Sequence, residues 1–180
     1  MNQTIDATGI LAALTAAHEA SALRHNVSHE ALILATVGSG SYVQAITAAL
    51  MTLGGTHAPL VDTCRLLERA HPEELVLVIL QQGLRVPGWG NGFVKGGPDP
   101  IWAEMDQVLR EAAPERMAAV DAVTAALHDA GKKIYPNPSC YTAVTALLLE
   151  LPPEASPFLF VYARLPKWTE EFCRIVRGAP

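Results

Sequence analysis

Apolar residues recur every three or four positions along most of the chain, a spacing that places them on one face of an α-helix. The spacing and its interruptions predict helices at about 9–23, 29–38, 41–53, 58–70, 72–82, 99–112, 114–130, 139–151, 156–165 and 167–177. Runs of β-branched residues are short, and no segment is convincing as a strand. The chain is therefore predicted to be all-α, with about ten helices.

Residues with known preferences for helix ends mark several boundaries. Ser28 is placed to cap the free amides of the second helix. Gly54-Gly55 is placed to end the third, because glycine accepts the left-handed geometry of a helix C-terminus. Pro72 suits the first position of the fifth helix.

The segment 83–100 interrupts the helical pattern with six glycines and three prolines. Both residue types disfavour helix interiors, so the segment is predicted to be a loop. A loop of this length is unusual in a compact domain and is often functional. Tyr135-Pro136-Asn137-Pro138 is also predicted to be extended or turning, because each proline disfavours helix in the residue before it.

Half of the residues are apolar and only 17% are charged, which places the chain among compact globular proteins. The net charge of -5 comes from scattered residues, and no stripe of lysine and arginine is present, so we expect no nucleic-acid partner. The longest apolar runs are far too short to cross a bilayer, so we expect no membrane span.

The cysteines, Cys64, Cys140 and Cys173, are an odd number without paired spacing, which favours neither a disulfide framework nor a zinc site. His25 and His29 lie four residues apart, but without a third ligand nearby they predict no metal site. Four histidines are expected at the surface: His18, His29, His71 and His128. Because the N-terminal residues also lack the features of a signal peptide, we expect a cytoplasmic protein.

Four segments, taken in order, resemble the C-terminal half of citrate synthases. Asn26-Val27-Ser28 is similar to the family's Asn-x-Ser helix start, and 42–60 is similar to the helix that ends in its His-Gly-x-Ala-Asn loop. The segment 86–95, followed by Asp99-Pro100, resembles Pro-Gly-Phe-Gly-His-Arg-Val-Tyr-Lys and then Asp-Pro-Arg. Finally, 135–141 resembles Tyr-Pro-Asn-Val-Asp-Phe-Tyr, with Ala163-Arg164-Leu165 similar to the family's Ala-Arg-x-x-Gly.

The resemblance implies a single citrate-synthase-like helical domain over 1–180, with the loop at 83–100 and a helical subdomain at about 57–135. It also implies where the family's chemistry would lie. That reaction needs a carboxylate base, a hydrogen-bond donor at a thioester oxygen and groups that bind a keto acid. Here Ser139 stands at the position of the base, Leu53 at that of the donor histidine, and Asn91 at that of the second histidine.

Two arginines of the family's pattern are also replaced, by Gly92 and Ile101. The resemblance therefore implies that citrate synthase activity is absent. A rebuilt site remains an alternative, with His57, Ser139 and Asn91 as candidates, Cys140 adjacent to the serine, and a Ser–His or Cys–His pair as the nucleophile. The structural alternative is that His57 caps or packs at a helix start and that Ser139 caps the helix that follows it.

The loop keeps more of the family's pattern than the catalytic positions do, since Pro87, Gly88, Gly90 and Lys95 match. The resemblance implies a coenzyme A or adenine nucleotide ligand, with no cofactor required. Glycine amides approach a ligand closely and Lys95 is suited to a phosphate, although the glycines also serve simply to let the loop turn. The expected ligand-binding residues are Arg85, Pro87, Gly88, Trp89, Gly90, Asn91, Lys95, Asn137 and Arg164.

Citrate synthases are dimers, and two predicted helices resemble their interface helices, at 41–53 and 139–151. Both are rich in apolar residues, which favours a homodimer. Three functions stay open. They are a non-catalytic dimer that binds a small anionic molecule, an acyl-CoA lyase or thioesterase that uses His57 and Ser139, and a structural or regulatory module that pairs with itself or with a full-length citrate synthase.

Overall fold

The computed structural model describes residues 6–21, 26–53 and 58–178. In these ranges the chain forms nine α-helices: α1 Ala7–Ser21, α2 Val27–Ser39, α3 Tyr42–Met51, α4 Leu60–Leu67, α5 Pro72–Gln81, α6 Ala103–Ala112, α7 Pro114–Asp129, α8 Pro138–Leu148 and α9 Ser156–Val176. Short 3-10 turns precede α6 and α9, at Pro100–Trp102 and Pro153–Ala155. The same ranges contain no strand, so the all-α prediction is confirmed.

Helix α8 is the centre of the larger hydrophobic core. All of its residues from Ser139 to Leu147 are buried, because α1, α4, α6, α7 and α9 pack around it. The core also includes the apolar faces of α4, α6 and α7, so the segment 57–135 shares its core with α1, α8 and α9. Since Ser139 to Leu147 leave almost no surface for a second chain, this part of the predicted dimer interface at 139–151 is wrong.

A smaller core lies between the α2–α3 hairpin and the C-terminal half of α9. Its buried members are Leu32, Ala45, Ala49 and Trp168. The hydroxyls of Ser28 and Thr52 are 2.8 Å apart and join the start of α2 to the end of α3. The hairpin therefore packs on α9 through one face only.

Asparagine side chains cap the two helices for which serine caps were predicted. The Asn26 side-chain oxygen accepts from the amide of His29, and that of Asn137 accepts from the amide of Ser139. Each asparagine lies in extended backbone just ahead of its helix, the conformation from which a side chain reaches the first free amides. Ser28 and Ser139 instead lie inside the first turns and are buried, so the predicted Ser28 cap is wrong and the structural alternative of a Ser139 cap is wrong as well. The predicted stop at Gly54-Gly55 lies outside the described residues.

The final two predicted helices are one helix, α9, which passes through Pro166. Proline removes one backbone hydrogen bond from a helix interior and usually bends or ends it. Here buried residues on both sides, Phe160 and Arg164 before the proline and Trp168 after it, hold the two halves in the core. Although α9 has 21 residues, no helix in the described part of the chain is both long and apolar enough to cross a membrane.

Candidate functional site

The glycine-rich loop is fastened to the segment that leads into α8. The amide of Gly90 donates to the carbonyl of Tyr135 and the amide of Asn137 donates to that of Gly88, both at 2.9 Å. Trp89 and Pro136 form an isolated antiparallel bridge between these hydrogen bonds. The Asn137 side chain adds a third link by donating to the carbonyl of Gly90. The glycine-rich loop and the segment that leads into α8 are 40 to 50 positions apart in sequence, but these hydrogen bonds join them into one continuous wall.

The first cavity on this wall, here called the loop cavity, has a volume of about 570 Å³. It collects six of the residues predicted to bind ligand: Arg85, Pro87, Gly88, Trp89, Gly90 and Asn137. Arg85 is exposed. The Trp89 side chain is 5% exposed and its indole nitrogen donates to the Thr124 hydroxyl, so the ring belongs mainly to the core. Trp89 thus offers little surface on which a nucleotide base could stack.

A second cavity of about 200 Å³, the lysine cavity, has Asn91 in its lining. It is lined by Lys95, Gly96, Gly97 and Lys133, together with residues 134–136. Lys95 and Lys133 are exposed at its edge. The Asp99 carboxylate lines the cavity as well, so two ammonium groups and one carboxylate leave it with a net positive charge of one, which favours an anion such as a phosphate.

The third cavity, here called the arginine cavity, lies between the loop, the start of α8 and the middle of α9. Its volume is about 240 Å³, and its lining includes Asn91, Gly92, Asn137, Ser139 and Arg164. It shares Gly90 and Asn137 with the loop cavity and Asn91 with the lysine cavity. All nine residues predicted to bind ligand therefore line one or more of these adjoining cavities.

Arg164 is 5% exposed and is held by neutral groups. Its Nε donates to Nδ1 of His18 at 3.1 Å, and its guanidinium lies 4.5 Å above the centroid of the Phe160 ring. Nη1 is buried and has no hydrogen-bond partner among the described residues. Burial lowers the pKa of Arg164 to about 10, so the side chain keeps its positive charge at neutral pH. A buried cation with an unused donor is a strong attractor for an anion.

His18 is fully buried on α1, so its expected place at the surface is wrong. Its Nε2 lies 3.0 Å from the Thr142 hydroxyl of α8. Its ring meets those of Trp102 and Phe160 edge to face. Burial, and then the charge of Arg164, hold the pKa of His18 well below its usual value, so the imidazole is neutral. The helical spacing contained the missing signal, because His18 follows the buried Leu14 by four positions.

The predicted catalytic residues come together only in part. Ser139 lies at the arginine cavity, whereas His57 lies outside the described residues. The Asn91 side chain is engaged within the loop, donating to a carboxylate oxygen of Asp99 at 2.8 Å and accepting from the amide of Phe93. Cys140 is fully buried, and that burial raises the pKa of its thiol well above the usual value. The alternative with Cys140 as a nucleophile is therefore wrong, because the thiolate would be inaccessible and disfavoured.

Among the described residues, no group of three or more histidine, cysteine, aspartate or glutamate side chains is arranged to hold a metal ion. The remaining histidines differ in exposure, since His71 is exposed while His29 and His128 are partly buried.

The all-helical fold is shared with a citryl-CoA lyase and with two ATP citrate lyases. Citryl-CoA lyase from Hydrogenobacter thermophilus superposes with a TM-score of 0.79 at 19% identity, covering 98% of this chain and 72% of that one. ATP citrate lyase from Methanothrix soehngenii, in complex with citrate and coenzyme A, gives 0.75 at 15% identity, with 95% of this chain and 32% of that one covered. An ATP citrate lyase variant from Methanosaeta concilii gives 0.76, also with 32% of its chain covered.

The sequence model for the citrate synthase C-terminal domain matches residues 6–174. The chain therefore belongs to the citrate synthase family, and the resemblance of the four segments is confirmed. It spans about a third of the length of the ATP citrate lyase chains. The comparison with curated proteins found no match.

Proposed function

We propose that the chain is a catalytically degenerate citrate-synthase-like protein that binds an anionic small molecule, such as coenzyme A or another adenine-containing compound, in the cleft formed by the three cavities. The observation that carries this proposal is Arg164, a buried cation with an unused donor that lines the arginine cavity. A charge buried without a counter-ion is costly to the folded protein, and a bound anion would offset that cost.

The degenerate part of the proposal follows from the residues at the arginine cavity. Ser139 has an alcohol where the family's reaction needs a carboxylate base, and the Asn91 amide is engaged by Asp99. Gly92 lines the same cavity where the family has an arginine. Each lost catalytic group typically lowers the rate by about 10² to 10⁴. Among the described residues that line this cavity, these replacements leave no carboxylate base, and Arg164 is the one cationic group.

Coenzyme A is favoured because the loop cavity and the lysine cavity adjoin the arginine cavity and have exposed cationic side chains. Arg85 lies at the first, and Lys95 and Lys133 lie at the second. The Methanothrix ATP citrate lyase, which has the same fold in part of its chain, is described in complex with citrate and coenzyme A. A phosphate group would meet these exposed cationic groups at the surface without a large desolvation cost.

Titration calorimetry with coenzyme A and with ADP tests this proposal. We expect binding to the wild type and weaker binding to Lys95→Ala and Arg85→Ala. Lys167→Ala is the matched control, because Lys167 lines none of the three cavities and pairs with Glu170 on α9. If neither coenzyme A nor ADP gives a heat of binding, the binding of an adenine-containing ligand is contradicted. An equal loss of affinity in all three variants would contradict the placement of the ligand at Arg85 and Lys95.

A lyase or thioesterase with altered acyl-CoA chemistry is the second candidate, favoured by the similarity to citryl-CoA lyase and by Ser139 beside Arg164 in one cavity. The test is turnover of citryl-CoA and acetyl-CoA by the wild type, Ser139→Ala and His57→Ala. A measured activity that persists in both variants would exclude the Ser–His site. Without any turnover by the wild type, the non-catalytic proposal stands.

We also propose that the protein assembles through the α2–α3 hairpin. Four apolar side chains on this hairpin are largely exposed, namely Leu34 at 74%, Val37 at 71%, Val43 at 72% and Met51 at 82%. Exposed apolar surface of this kind marks a protein contact. A second copy of the chain is the proposed partner, and pairing with a full-length citrate synthase is the alternative outcome of the same measurements.

A further inference from the structure

Helix α5 is apolar on all of its sides, because every residue from Leu75 to Leu80 is aliphatic. A helix of this kind is expected to be buried all round. Here α5 packs on α7 and touches α4, and Val76 is the one fully buried residue of this run. The opposite side of the helix faces solvent, where Leu77 and Val78 are 53% and 45% exposed.

The turn that ends α5 adds a third apolar side chain to this surface. The Gly83 amide donates to the carbonyl of Leu80 and the Leu84 amide donates to that of Ile79, the two hydrogen bonds of a Schellman motif. Gly83 has a φ of 71°, the left-handed conformation on which the motif depends. The motif holds Leu84 beside the last turn of the helix, where it is 57% exposed. The α5 patch, as named here, consists of Leu77, Val78 and Leu84.

Opposite charges lie at the two ends of the α5 patch. Glu74 is exposed in the first turn of α5 and shares a face with Leu77 and Val78, since it precedes them by three and four positions. Arg85 is exposed just beyond the C-terminus of the helix. Neither Glu74 nor Arg85 forms an ion pair with another described residue. The surface therefore has a carboxylate at its start, an apolar middle and a guanidinium at its end.

We propose that the α5 patch is a contact surface for a second copy of the chain, in which two α5 helices lie antiparallel and Glu74 of each copy pairs with Arg85 of the other. In a parallel pair the like charges would meet, whereas a twofold axis across the patch forms both ion pairs at once. The same axis places the apolar side chains of the two copies against one another. This contact is separate from that of the α2–α3 hairpin, which packs on α9.

The small size of the α5 patch makes this contact weaker than a standard interface. A ten-residue helix is about 15 Å long and roughly 10 Å wide, so its face falls well short of the roughly 800 Å² that each partner buries in a standard interface. We expect a Kd on the order of 100 μM, so that the contact forms in concentrated protein and is lost on dilution. Arg85 also lines the loop cavity, so an anionic ligand bound there would compete with Glu74 of the second copy.

Sedimentation equilibrium of the ligand-free protein tests the contact. Between about 5 and 500 μM, we expect the weight-average mass of the wild type to rise at least about 1.5-fold. Glu74→Arg and Arg85→Glu should each abolish this rise, because each places like charges at both ends of the contact. The combined variant, Glu74→Arg with Arg85→Glu, restores opposite charges and should recover the rise. Glu104→Arg is the matched control, because Glu104 is an exposed carboxylate without an ion pair in the first turn of α6.

The possible results separate the parts of the proposal. A wild-type mass that does not depend on concentration would overturn the contact. A rise that persists in both single variants would overturn the pairing of Glu74 with Arg85. If the combined variant is folded by circular dichroism but does not recover the rise, the antiparallel arrangement is overturned. The hairpin does not affect these comparisons, because the mass at the lowest concentration defines the starting species, whether it is one chain or two.

Discussion

A Cβ atom added to Gly88 would lie 2.5 Å from Cγ2 of Thr63 on α4. Real Cβ contacts are essentially never so short, so the loop backbone approaches α4 more closely than any other residue would permit. Gly88 also has a φ of 87°, a conformation that side chains with a Cβ disfavour. The first turn of the glycine-rich loop is therefore fixed by packing on α4 as well as by its hydrogen bonds to the 135–137 segment.

Gly88→Ala is expected to destabilise the protein by more than its backbone conformation alone explains. Gly96→Ala is the matched control, because Gly96 has a φ of 82° but no atom within 4 Å of an added Cβ. The control should cost about 1–2 kcal/mol of unfolding free energy from the left-handed conformation. Gly88→Ala should cost at least about 1 kcal/mol more, since Thr63 must move. Urea unfolding measures both, and equal losses would contradict the close packing.

The helical spacing predicted where most helices lie because each buries a face of apolar residues against other helices, most of them against α8 or α9 and α5 against α7. Spacing carried less information at Pro166, where the buried residues on either side keep one helix continuous. The sequence also did not identify the residues that cap the N-termini of α2 and α8, since serine and asparagine have similar capping preferences and both occur close to each helix start. Only the backbone conformation distinguishes Asn26 and Asn137 as the caps.

The sequence likewise predicted some residues of the candidate site and missed others. Motif resemblance predicted the residues of the loop and Arg164, and folding brings them to adjoining cavities. His18 was missed because histidine has only an intermediate preference for burial, although its helical position matched that of buried Leu14. Its contacts with Arg164 and Thr142 join residues that are 146 and 124 positions apart, and no local pattern encodes such pairs.

Pro166→Ala is expected to stabilise α9. Pro166 is exposed and lies inside the helix, so alanine would restore a donor and a helical residue without filling any core space. An increase of about 1–3 kcal/mol in unfolding free energy is expected, because proline costs about 3 kcal/mol relative to alanine in a helix interior. Thermal unfolding checks the result. A decrease would show that the proline conformation is required for the two buried halves of α9.

The buried neutral His18 makes stability depend on pH. Its native pKa lies below the ordinary value of 6.5, so below this pH the unfolded chain binds a proton that the native protein does not. The contribution is therefore complete above pH 6.5 and decreases as the pH falls. A decrease in pH from 7 to 5.5 should therefore lower the unfolding free energy by about 1 kcal/mol through His18.

His18→Gln removes this titration while keeping a neutral polar side chain. Urea unfolding of both proteins from pH 7 to 5.5 should show a steeper loss in the wild type, and the difference isolates His18 from the other titrating groups. Parallel curves for the two proteins would contradict a depressed pKa of His18 in the native state.

The exposed apolar residues of α3 lie on one side of the helix. Leu50 and Met51 follow Val43 by seven and eight positions, which is about two helical turns. The opposite face contains Ala45 and Ala49, which are buried against α2 and α9. One face of α3 thus packs within the chain, and the other presents an apolar stripe to solvent. Two such stripes placed against each other would form an isologous contact, the type on which twofold dimers depend.

Met51→Glu combined with Val43→Glu is expected to convert a dimer into a monomer, because four carboxylates would then face one another at the contact. Light scattering after size exclusion should give about twice 19.2 kDa for the wild type and one chain mass for the double variant. Leu84→Glu is the control, since Leu84 is an exposed apolar residue of the loop, outside the hairpin. A wild-type mass of one chain would contradict self-association. A dimer that persists in the double variant would instead exclude the α3 stripe as its interface.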